Sequence, residues 1–128
     1  MNESQFKKDI KIDIKNLEKE ATLQPELYFK WMLLARKANE AYENAKLELD
    51  TTEAKISRSI REKPSSFGVR GRLTEARILG VVKEHPKYQE VYKEYLKALS
   101  EQYIFNRAQE ALYQRKEMIK ALLQKKGE

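Results

Sequence analysis

The stretch SRSIREKPSSFGVRGRLTEAR, residues 57–77, decides how the rest of the chain is read. Arg58, Arg61, Lys63, Arg70, Arg72 and Arg77 stand in it against only Glu62 and Glu75. Pro64 lacks a backbone N–H, and Gly68 and Gly71 carry no Cβ, so its middle cannot continue a helix. The stretch reads as a cationic bend. On either side lies a long segment of helical period and similar length, which predicts an antiparallel helical hairpin with its positive charge gathered at the turn.

Working back from the bend, residues 25–62 contain no glycine and only the proline that opens them. Leu27, Trp31, Leu34, Ala38, Ala41 and Ala45 recur at alternating intervals of four and three, a heptad-like seam that narrows from large side chains to alanine. The stripe continues through Leu49 and Ile56 to Ile60. Upstream, Ile14, Leu17 and Ala21 mark a short helix that Asp13 is placed to cap, since a carboxylate accepts from the free N–H groups of a first turn. Residues 1–8 are polar and read as frayed. Gln24 precedes a proline, which disfavours helical backbone at Gln24, so a break is expected there, with Pro25 opening the long helix.

Forward from the bend, Thr74 can cap a short helix carrying Ile78, Leu79, Val81 and Val82, which ends at His85 and Pro86. Residues 86–126 then form the second long helix, with Tyr88, Tyr92, Tyr95, Leu99, Tyr103, Leu112 and Ile119 among its apolar positions. The expected organisation is all-α and a single domain: an arm and short helix over 1–23, a long helix over 25–62, the basic bend with its short helix over 63–85, and a long helix over 86–126. Tyr28, Trp31, Tyr92, Leu99, Leu112 and Ile119 are the expected packing and oligomer contacts.

Composition narrows the function. The 128 residues are 41% hydrophobic and 36% charged, which leaves little for a large self-contained core and suits long helices that pack on copies of the chain. A net charge of +6 favours a polyanionic partner. There is no cysteine, so thiolate chemistry and disulfides are excluded. No catalytic group or cofactor cradle is expected, because the chain has one histidine and no Gly-rich phosphate loop. No metal ligand set is expected either; Asp9 and Asp13 find no third ligand and read as capping groups. MNESQFKKD lacks an apolar signal core, and no window is apolar enough to span a bilayer, so a cytoplasmic location is expected, the host cytoplasm if a phage encodes the chain.

Asp9, Ile12, Asp13, Leu17, Glu20, Ala21, Leu27, Tyr28, Lys30 and Trp31 follow the pattern DxxIDxxxLxxEAxxxxxLYxKW without a gap. This pattern resembles the N-terminal region of the phage UvsY-type recombination mediators. The resemblance implies a non-enzymatic accessory in DNA recombination and repair. It would bind single-stranded DNA, touch a RecA-like recombinase and the single-strand-binding protein, and work as a homo-oligomer, possibly a ring. Where the family carries a basic Lys-x-Arg pair on the following helix, ungapped extension lands here on Ala54 and Ile56. The implied DNA contact is therefore carried to the neighbouring Lys55, Arg58 and Arg61.

The residues themselves give a compatible reading. Lys55, Arg58 and Arg61 recur every three positions and can track neighbouring phosphates. Lys63, Arg70, Arg72 and Arg77 extend the charge, and Phe67, between glycines and arginines, can offer a ring to a base. The bland reading is a solvated loop with Phe67 tucked against the helices. Trp31 and the tyrosines at 88, 92, 95 and 103 read as packing stripes rather than base platforms. His85 reads as a cap or surface group. The C-terminal Lys116, Lys120, Lys125 and Lys126 read as a solvated face that can extend a DNA path. The expected function is a mediator that binds single-stranded DNA without sequence preference. The competing expectation is a coiled-coil assembly or adaptor protein, such as a phage morphogenesis factor, whose basic bend docks an acidic protein.

Overall fold

A computed structural model describes residues 1–128 and consists of helices and turns without a strand, as the all-α expectation requires. The order is α1 (Glu3–Ile10), a 3-10 turn (Ile14–Asn16) running into α2 (Leu17–Glu62), a second 3-10 turn (Pro64–Phe67), α3 (Glu75–Glu84) and α4 (Pro86–Gly127). No helix is long and apolar enough to cross a membrane. The packing falls into two compact units, Met1–Glu40 with Ser100–Glu128, and Ala41–Leu99.

In the first unit α2 packs against α4 in antiparallel sense: Gln24 meets Leu112 and Arg115, while Tyr28, further along α2, meets Gln109. Trp31, Ala108 and Leu112 are buried, and Phe6, Leu27, Tyr28, Leu34 and Phe105 close around them. Trp31 meets Phe6 edge-on at 5.1 Å and Phe105 at 6.2 Å, both distances at which aromatic pairs attract beyond simple burial. Its Nε1 donates to Asp9 at 2.9 Å.

Two expectations fail in this unit. Residues 1–8 are not frayed. Asn2 caps α1 by accepting from the Gln5 N–H at 3.0 Å, and Phe6, set among polar neighbours, pins the helix to Trp31. The chain also does not break at Gln24 and Pro25, because α2 passes straight through the proline. Proline removes the hydrogen bond that residue 25 would make to the Ala21 carbonyl. Tertiary anchoring offsets the loss: the buried Gln24 amide donates to the Leu112 carbonyl at 2.7 Å and accepts from Arg115 at 2.6 Å. Arg115 is itself buried, ion-paired to Glu20, and donates to the Lys11 carbonyl at 2.9 Å. Removing one member of such a buried pair typically costs about 3–5 kcal/mol, so the network holds the start of α2 to α4 firmly.

Asp13 does cap, accepting from the Lys15 N–H at 3.1 Å and from the Asn16 amide at 2.7 Å, and so starts the turn that feeds α2. Asp9 is not a cap. It lies inside α1 and accepts from Gln5, Lys30 and Trp31. Burial acts to raise its pKa, but the hydrogen bonds from Lys30, Trp31 and Gln5 prevail and hold the carboxyl below its usual range.

The second unit is organised by Ile56, Ile60, Ile78 and Val82, with Phe67, Leu73, Val81 and Tyr88 against them. Thr74 caps α3 by accepting from the Arg77 N–H at 3.2 Å. His85 ends α3, and its Nδ1 accepts from the Lys87 N–H at 3.1 Å, which makes it the cap of α4 as well.

The seam of α2 follows its expected line at Trp31, Ala38, Ile56 and Ile60, all buried, and at the half-buried Leu34, Ala45 and Leu49. It departs from that line at Ala41, which is exposed, while Ala35 is buried and Tyr42 half-buried beside it. A straight helix of 3.6 residues per turn does not keep a strict seven-residue repeat, so neighbouring positions share the buried face. On α4, Leu112 and Ile119 are buried, as is Trp31 on α2, so these three pack within the chain's own core. Tyr28 is half-buried against the same core. Tyr92 and Leu99 lie outside it, 41% and 37% exposed.

Candidate nucleic-acid interface

The end of α2, the turn after it and the start of α3 bring the basic residues onto one piece of the second unit. At about 100° per residue, Lys55, Arg58 and Arg61 fall within a sector of roughly 120° on α2. Ile56 and Ile60, both buried, occupy the opposite side. Burying the isoleucines against Ile78 and Val82 therefore turns the three cations to solvent, where all three are exposed.

The segment after α2 is tied down at several points. Gly68 takes the left-handed conformation at φ 75°, and its N–H bonds back to the Ser65 carbonyl at 3.1 Å. The Val69 N–H closes on the Pro64 carbonyl at 3.1 Å, and the Val69 side chain is buried. Gly71 repeats the left-handed conformation at φ 79°, where an L side chain is strained. Phe67 faces inward, half-buried on the isoleucine cluster with its ring 6.5 Å from His85. The ring thus takes part in packing and leaves only part of its surface for the base contact expected of it.

The seven basic residues separate into two groups. Arg61 is matched by Glu75, its Nη2 lying 2.8 and 2.7 Å from the two carboxylate oxygens. Arg77 clasps the loop: its Nη1 donates to the carbonyls of Arg70 at 2.6 Å and Arg72 at 2.9 Å. Lys55, Arg58, Lys63, Arg70 and Arg72 are exposed and engaged with no carboxylate. Those five cations are what the surface offers a ligand. The clasp by Arg77 also fixes where Arg70 and Arg72 stand, a role that spacing does not signal, since a guanidinium bonded to carbonyls five and seven residues upstream follows no helical or strand period.

The C-terminal lysines contribute less distinctly. Lys126 pairs with Glu18 at 3.2 Å, and Lys116 sits over the Tyr113 ring at 4.6 Å, whereas Lys120 and Lys125 are exposed. The arrangement at the basic turn suits a flexible polyanion: unpaired guanidinium and ammonium groups on a held backbone, without a groove-reading helix and without a buried titratable group.

A family model described as "Recombination, repair and ssDNA binding protein UvsY" matches residues 5–78, more than half of the chain and inclusive of the whole basic turn. No curated protein and no solved structure matches the chain.

Proposed function

The chain belongs to the UvsY family of recombination, repair and single-stranded-DNA-binding proteins, and from that premise we propose that it is a recombination mediator. In this reading it binds single-stranded DNA without sequence preference and helps load a recombinase onto strands coated with single-strand-binding protein. The observation that carries the reading is the set of five unmatched cations, Lys55 and Arg58 at the end of α2 and Lys63, Arg70 and Arg72 after it, all inside the family-matched region. Backbone charge supplies the affinity, so binding tolerates any sequence and weakens steeply with salt.

The chain works as a homo-oligomer in this proposal. Leu96 and Leu99 are exposed on α4 and give copies an apolar face to share. A single turn grips a strand weakly; several turns presented together raise the effective concentration of cations, displace the resident binding protein by mass action and leave the strand available to the recombinase. The proteins' own roles are those of binding partners, with no chemistry on the DNA.

Anisotropy of a fluorescent thymine oligonucleotide across a salt series, with the matching duplex beside it, tests the reading. The expected result is tighter binding of the single strand. Replacing Arg58, Arg70 and Arg72 with alanine reduces the salt slope by about two, from roughly 0.7 per phosphate contact on single strands, while helicity is retained. Unchanged binding by that variant removes DNA from the basic turn. Failure of the wild type to bind either form at low salt, with binding to an acidic protein instead, makes the chain an adaptor.

A further inference from the structure

Outside the family-matched region, the end of α3 and the first turns of α4 form an open groove of about 550 Å³ lined by Lys83, Tyr88, Gln89, Tyr92 and Lys93. The rings of Tyr88 and Tyr92 lie nearly parallel, 19° apart with centroids separated by 6.0 Å. Tyr88 is half-buried on the isoleucine cluster and fixes the pair, while Tyr92 leaves 41% of its surface open. Lys83 and Lys93 are exposed and engaged in no ion pair. The Gln89 side chain bonds to the Lys83 carbonyl at 3.2 Å and tethers the start of α4 to the end of α3.

We propose that this groove is a second single-strand site, in which a nucleobase packs on the Tyr88 and Tyr92 rings and the flanking phosphates lie along Lys83 and Lys93. The proposal rests on the DNA-binding reading and adds to it a contact made to bases rather than to backbone. Three observations favour a strand over a second copy of the chain. Two unpaired lysines border the rings, and a symmetric contact between copies would set these cations against each other. A ring pair held at stacking geometry is already ordered, so adding a base to it costs little further side-chain freedom. Acidic charge also stands near Tyr88: burial first, then Glu53, Tyr92 and Asp50, hold the Tyr88 hydroxyl above its usual pKa. An uncharged base is tolerated beside Glu53 and Asp50, whereas a phosphate there meets like charge, so the flanking phosphates fall to Lys83 and Lys93.

The test compares a thymine oligonucleotide with an abasic one of equal length and charge, using the full chain. The wild type is expected to bind the thymine strand about tenfold more tightly than the abasic one, the scale of one or two stacked bases. Tyr92→Leu, at an exposed helical position, is expected to bring the thymine affinity down about tenfold to the abasic level, leaving the abasic affinity, the salt slope and the oligomeric mass unchanged; Tyr92→Phe retains the preference. Tyr92→Leu that binds thymine like the wild type overturns the groove. So does a loss accompanied by a change in mass, which assigns Tyr92 to contacts between copies. A wild type that binds both strands equally well overturns the groove and leaves the basic turn standing, whereas one that binds neither overturns both.

Discussion

Arg58 and Arg61 are one helical turn apart on α2 and equally basic in sequence, yet only Arg61 has a carboxylate across from it. An exposed pair of this kind adds little stability, about 0–1 kcal/mol, but it sets which cation is free to meet a phosphate. Glu75→Gln is therefore expected to release Arg61, to tighten single-strand binding several-fold and to steepen the salt slope by roughly 0.7, with a melting temperature close to that of the wild type. Anisotropy over a salt series with a thermal melt checks both halves, and a variant no tighter than the wild type denies Arg61 any share in the interface. Asp9 supports a second prediction at this scale. Because hydrogen bonds lower its folded pKa, the stability it contributes is fully present above the usual carboxylate value and is lost as pH falls through the lower folded value. Trp31 is the sole tryptophan, 1% exposed, and donates to this carboxylate, so its emission reports the contact directly. As pH falls below the ordinary aspartate value and through the lower folded one, the emission is expected to shift to the red as α1 loosens; Asp9→Ala shows the same shift at neutral pH and loses about 1–3 kcal/mol, the cost of leaving the Trp31 indole N–H unanswered.

At the scale of elements, Pro25 sits nine residues into α2 and still does not end it. Restoring the missing hydrogen bond with Pro25→Ala is expected to stabilise the protein. The gain is about 2 kcal/mol, since the proline penalty of about 3 kcal/mol is partly returned by the freer unfolded chain of the alanine variant. A higher melting temperature checks it, and a lower one means that the proline shapes the anchoring of Gln24. The same position shows where sequence reading stops. Helical period, the Asp13 and Thr74 caps and the glycines of the turn are local signals, and each is found where its residues stand. The continuity of α2 depends on Arg115 and Leu112, almost ninety residues away along the chain, as α1 depends on Trp31. Propensity weighs only neighbours in sequence, so it predicts a break at Pro25 and fraying over residues 1–8. Within the basic turn the types and the count of cations were legible, but their pairing was not: Arg61 and Arg77 look like Arg58 and Arg70 until Glu75 and the loop carbonyls are placed beside them. Phe67 was ambiguous for the same reason, because its role depends on whether the isoleucines lie within reach.

For the whole molecule, a net charge of +6 and five unmatched cations at the end of α2 and on the turn after it set up a weak, screened attraction for a polyanion, and the mediator function proposed above needs more than that. In the proposed assembly, repetition of the basic surface would supply the difference without any new contact, provided that one strand is long enough to reach several copies. The exposed Leu96 and Leu99 offer the apolar contact for such an assembly, on a helix whose buried residues Leu112 and Ile119 are already committed to the chain's own core. Leu96→Gln with Leu99→Gln is expected to lower the mass measured by light scattering to that of the single chain, while circular dichroism stays the same because neither residue is buried. Its affinity for an oligonucleotide of about eight nucleotides should match the wild type within about twofold, since one turn suffices to hold it. Affinity for a strand of about forty nucleotides should fall at least tenfold, because linked binding events are lost. Equal loss on both lengths means that the two leucines support the DNA surface itself rather than its repetition. A variant that keeps the wild-type mass places the contacts between copies elsewhere on the chain.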